Sequence, residues 1–77
     1  MHIRAMAQVV VEIKDPAAVP ALIEALLNGD SHARAVAARA LGEIKDPAAV
    51  PALIKARRDN VGAVYEAVVA ALVKMNK

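Results

Sequence analysis

The chain is 77 residues long, 58 % apolar and 23 % charged, with one aromatic residue and ten Lys and Arg against eight Asp and Glu for a net charge of +2. That is room for one small domain, and the near balance of charge does not by itself call for a nucleic-acid or acidic partner. The lack of cysteine excludes disulfides and thiolate metal sites, and charges interrupt every apolar stretch well short of the roughly 18 residues of a membrane span.

Five helices are predicted, near 2–13, 16–28, 31–44, 47–58 and 61–75. The first holds Ile3, Met6, Val10 and Ile13 as its apolar positions. In the second, Val19, Leu22, Ile23, Leu26 and Leu27 fall at i, i+3, i+4, i+7 and i+8, one stripe of an α-helix. Its start is expected to be irregular. Pro16 suits a first helical position behind Asp15, but Pro20 four residues later lacks a backbone donor, so a 3₁₀-like turn should cover Pro16 to Ala18, with regular helix from Val19 or Pro20. Asn28-Gly29 supplies a stop and Asp30 or Ser31 a new cap. The third helix sets Ala33, Ala37, Ala40, Leu41 and Ile44 on one face, and Asp46-Pro47 closes it. The fourth repeats the second, with Pro47 and Pro51 in place of Pro16 and Pro20, and the fifth repeats the third.

The repetition is literal. With an offset of 31, Glu12 to Ile23 matches Glu43 to Ile54 in twelve consecutive identities, Ala7 pairs with Ala38, and Val10 pairs with Leu41 and Leu72. Such a period marks a solenoid, in which each unit buries its apolar face against its neighbours. The helices therefore alternate as B-A-B-A-B: a half-repeat over 1–15 and repeats over 16–46 and 47–77, all in one domain, 1–77.

The segment RAVAARALGEIKDPAAVPALIKA, Arg34 to Ala56, resembles the PBS-lyase-type HEAT-like repeat family, whose units carry an Arg early in helix B, a Leu-Gly, an Asp-Pro turn and a Val-Pro-x-Leu-Ile opening of helix A. The resemblance implies an all-α HEAT-like α-solenoid of paired antiparallel helices, about two and a half units long. It also implies that Arg34, with Asp15 and Asp46, forms a polar pairing across turns. It does not import a lyase activity. The chain departs from the pattern where Ala33 replaces a bulkier residue, where Tyr65 stands in the place of Arg34, and where Val11 and Val73 stand in the place of Gly42.

Little in the chain promises catalysis. His2 and His32 are one position out of register and lack companion ligands, so no metal site is expected, and the acids are too scattered for a general acid/base pair. No glycine loop cradles a phosphate, since Gly29, Gly42 and Gly62 are isolated. No cofactor and no small-molecule substrate are expected, and the opening MHIRAMAQ carries no signal-peptide pattern, so a cytoplasmic setting is expected.

The expected function is a non-enzymatic protein–protein interaction or scaffold module. A 100° step per residue turns Ala35, Arg39 and Gly42 away from the core stripe. With their counterparts these make three ladders on a concave face: Arg4–Ala35–Glu66, Gln8–Arg39–Ala70 and Val11–Gly42–Val73. Apolar residues also gather toward the ends, Ile3, Met6 and Val10 in the first helix and Tyr65, Val69 and Val73 in the last, which favours a two-fold homodimer. Arg57 breaks the apolar stripe where the other unit has Leu26, and is expected to reach solvent at its helix end. Lys55, Arg57 and Arg58 also define a competing reading as a weak nucleic-acid binder, disfavoured because no aromatic residue interleaves with them. A third reading, an accessory subunit of a chromophore-handling enzyme, rests on the family resemblance alone.

Overall fold

The computed structural model describes residues 16–76. Over them the chain is helical with no strand, in the order 3₁₀ turn (Pro16–Ala18), α1 (Val19–Asn28), α2 (Ser31–Ile44), 3₁₀ turn (Pro47–Ala49), α3 (Val50–Ala56) and α4 (Gly62–Met75). Four α-helices are thus described, and the expected first helix, 2–13, lies outside the described residues.

Both A-type helices open as the proline spacing requires. A 3₁₀ turn occupies Pro16–Ala18 and again Pro47–Ala49, and the α-helix starts at Val19 and Val50 with Pro20 and Pro51 in its first turn, where an amide would have no partner in any case. Asp46 caps the second turn by accepting a hydrogen bond from the Ala48 amide at 2.9 Å. Asp30 caps α2, accepting from the Ala33 amide at 2.8 Å.

Helices α1 and α2 both end where the sequence places their stops, by different backbone geometries. Gly29, which closes α1, has an extended backbone (φ −78°, ψ 174°). Glycine is required there by space, because a Cβ would lie 2.6 Å from the Ala25 carbonyl oxygen and 2.8 Å from the Ala33 Cβ. The left-handed cap is instead Lys45 (φ 62°, ψ 34°), which ends α2 by donating its amide to the Leu41 carbonyl at 3.0 Å. An L-residue is strained in that conformation by about 1–2 kcal/mol. Lys45→Gly should therefore raise stability by about 0.5–1 kcal/mol after the added freedom of the unfolded chain is deducted. A urea midpoint shifted upward would show it, and a downward shift would contradict the cap geometry.

Helix α2 is the most enclosed element. Seven of its fourteen residues are buried, against four of fourteen in α4, because it packs on α1 and most extensively on α4. The predicted face is present, with Ala33, Ala37, Ala40 and Leu41 buried and Ile44 half-buried. A second flank of Val36, Ala38 and Gly42 is buried as well. In α1 the core positions are Val19, Leu22, Ala25 and Leu26, while Leu27 faces outward. The core is wholly apolar among the described residues, and Leu26, Leu41, Leu53, Val64 and Val68 are its largest fully buried members.

Candidate functional site

The described part of the concave ladders divides. Arg39, Glu66, Ala70 and Val73 are exposed and Ala35 is half-buried, but Gly42 is buried. An added Cβ on Gly42 would come within 2.9 Å of the Ala71 Cα and 3.0 Å of its Cβ. Gly42 therefore lies close against the Ala71 backbone of α4 and borders the adjoining depression as a buried residue, not as an exposed rung of a ladder. Gly42 is covered because helices pack on two flanks of α2, which the periodicity of one apolar stripe does not reveal. What remains of the ladders is a depression of about 200 Å³ bordered by Arg39, Glu43, Ala70 and Lys74, in which Lys74 pairs with Glu43. Arg4, Gln8 and Val11 lie outside the described residues.

Arg34 joins the two inter-helix turns, with a partner other than the one expected. Its Nε donates to Asp59 Oδ2 at 2.6 Å, its Nη2 to Asp59 Oδ1 at 3.4 Å, and its Nη1 to the Gly29 carbonyl at 2.9 Å. Asp46 is occupied by its own turn, and Asp15 lies outside the described residues. Asp59 Oδ1 also accepts from the Val61 amide at 2.9 Å, so one carboxylate orders the entry to α4, which has no side-chain cap of its own. The hydrogen bond from Arg34, followed by that from Val61, holds the Asp59 pKa below the ordinary carboxylate value. The folded state thus binds this proton less readily than the unfolded chain. Its stabilisation is complete above the ordinary range near about pH 4 and is lost as pH falls through the lowered folded value. Melts in acid should show that loss, and Asp59→Asn should flatten it; an unchanged acid limb in the variant would dismiss the linkage.

Among the described residues, the clearest open surface is the end formed by α3 and α4. Tyr65, Val69 and Val73 follow one another along α4, with Tyr65 47 % and Val73 55 % exposed and Val69 half-buried. Together with Val50, Leu72 and Met75 they line a groove of about 510 Å³, whose rim includes Arg57. A second depression of about 630 Å³ adjoins it through the shared residues Arg57 and Tyr65, and adds Ile54, Lys55 and Arg58. Arg57 is exposed, as its helix-end position suggested. The cost appears in α3, which stops at Ala56 where the expectation was residue 58. From there the amides of Arg57, Arg58 and Asp59 turn to carbonyls three residues back, a tightening that carries Arg57 out toward water. Ile3, Met6 and Val10, the other half of the expected self-association set, lie outside the described residues.

His32 is exposed, and no group of three or more His, Cys, Asp or Glu able to hold a metal occurs among the described residues. No helix among them is long and apolar enough to cross a membrane. Comparison with known families gives a match to a profile described as HEAT repeats, over residues 2–73. No curated protein matches the sequence.

Proposed function

The chain belongs to the HEAT-repeat family, and on that premise we propose that it is a non-enzymatic interaction module that presents the α3–α4 end as its working surface. HEAT repeats commonly mediate protein–protein contacts. The observation that carries the reading is a comparison of the chain with itself. Ala38, Leu41 and Gly42 are buried on α2; their counterparts 31 residues on, Val69, Leu72 and Val73, are half-buried, half-buried and exposed on α4. The flank that one unit covers in its predecessor is left uncovered in the last described unit. It carries more apolar bulk there, since valines replace Ala38 and Gly42.

In this reading the units are of the PBS-lyase type, placed by Arg34, Leu41-Gly42 and Asp46-Pro47, and repeat every 31 residues. The order is B-A-B-A-B in a single domain over 1–77, with a half-repeat at 1–15. A second reading, two-fold self-association, is favoured by the exposed row Tyr65, Val69 and Val73, with Ile3, Met6 and Val10 as further candidates from the first predicted helix.

An environment-sensitive apolar dye tests the surface. The cooperatively folded chain should enhance its fluorescence, and the pair Val69→Lys and Val73→Lys should remove most of the enhancement while lowering the melting temperature by no more than a few degrees. A folded chain that leaves the dye dark, or a signal indifferent to the two lysines, would contradict the assignment.

A further inference from the structure

We propose that the α3–α4 end binds an amphipathic helix whose apolar stripe lies along Tyr65, Val69 and Val73 and whose acidic flank meets Lys55, Arg57 and Arg58. The proposal rests on reading this end as the interaction surface, and it names the chemistry of the occupant.

Shape sets the first constraint. The groove runs beside α4 from Tyr65 to Met75, ten residues or about 15 Å of helix. That leaves room for the anchors of a docked helix at i, i+3, i+4 and i+7, which span about 10.5 Å.

The internal interface shows what does not fit. Helix α4 sits close on α2 because Gly42 has no side chain where Ala71 passes; Ala38, one turn earlier, is small and fully buried. At the open end Val73 and Val69 fill those two positions, so another unit of the same kind could not approach as closely. It would also meet Arg57 where the inner unit buries Leu26, and Tyr65 in place of Arg34, whose clamp onto the next turn is then missing. Changes at four equivalent positions, two of them contacts between the inner units, oppose extension of the stack by a similar unit.

Charge selects among the remaining occupants. Lys55, Arg57 and Arg58 are exposed along the two depressions, and no carboxylate lines either one. Asp59, the nearest acid in sequence, is engaged by Arg34 and Val61. Two-fold pairing through this end would bring both sets of three cations to one interface, whereas an acidic flank would neutralise them. The apolar trough beside the cations distinguishes a helix from a nucleic-acid backbone, which would leave Val69, Leu72 and Val73 without a partner.

The test uses two labelled peptides of about 18 residues, alike in their leucine stripe, one with glutamates flanking the stripe and the other with lysines, followed by fluorescence anisotropy against the full chain. The glutamate peptide should bind saturably and the lysine peptide roughly tenfold or more weakly, the difference shrinking with added salt. Arg57→Glu, which lowers the charge of the patch from +3 to +1, should remove most of that preference, and Val73→Lys should abolish binding of both; each alters an exposed side chain, so folding is checked by an unchanged helical melt. Equal binding of the two peptides, lost in Val73→Lys, would overturn the acidic partner and leave the end as an interaction surface. Binding of neither would overturn the amphipathic helix as occupant, and failure of the dye experiment as well would remove the surface itself. Sedimentation as a dimer that Val73→Lys dissolves, or salt-sensitive binding of duplex DNA that Arg57→Glu removes, would assign the end to a second copy or to nucleic acid instead.

Discussion

Leu41→Ala is expected to cost about 2–5 kcal/mol, the range for removing a large aliphatic side chain from a packed interior. Leu41 has no exposed surface and lies in the helix enclosed by both α1 and α4. Its counterpart Leu72 is half-buried beside the open groove of α4. Leu72→Ala leaves a site partly filled by water, so it should cost clearly less. Urea titrations of the two variants make the comparison. Equal costs would mean that the last helix is as enclosed as α2, which would remove the distinction between covered and open flanks.

Gly42→Val is expected to destabilise by about 1–3 kcal/mol, the usual penalty of overpacking. The obstruction is backbone: the new Cβ would meet the Ala71 Cα at 2.9 Å, and a Cα cannot rotate aside as a flexible side chain can. Gly42→Ala isolates the effect, because alanine favours a helix over glycine by about 1 kcal/mol. The clash opposes that gain, so the alanine variant should be no more stable than the parent. Val73 offers the control. It has the same register in α4 and is 55 % exposed, so Val73→Gly should lose only helix propensity. A stabilised Gly42→Ala would show that α2 and α4 stand farther apart than described.

Local chemistry was readable before packing was. The spacing of Pro16 and Pro20 dictates a 3₁₀ entry followed by helix from Val19, and Asp30 with Asp46-Pro47 brackets Ser31–Ile44. Each depends on groups within a few residues of one another, so sequence carries them. The burial of Gly42, the pairing of Arg34 with Asp59 and the exposure of Leu27 depend on how one helix lies across another. Arg34 and Asp59 are 25 residues apart, and nothing in either local pattern selects Asp59 over Asp46. The early end of α3 was half readable: Arg57 in the place of Leu26 marks a side chain that cannot stay in the stripe, but not the turn that frees it. The positive φ of Lys45 had no signal, since lysine is an unusual residue for that conformation.

Solvent access to individual methyl groups tests most directly the claim that the α2 flank is closed and the α4 flank open. A soluble paramagnetic agent added to the dilute, methyl-labelled chain should broaden the methyl signals of Val73 strongly and those of Val69 in part. It should leave Ala38 and Leu41 sharp, because both are fully buried. Broadening of Leu41 to the same degree as Val73, or protection of Val73 at a concentration where the chain is monomeric, would contradict the account.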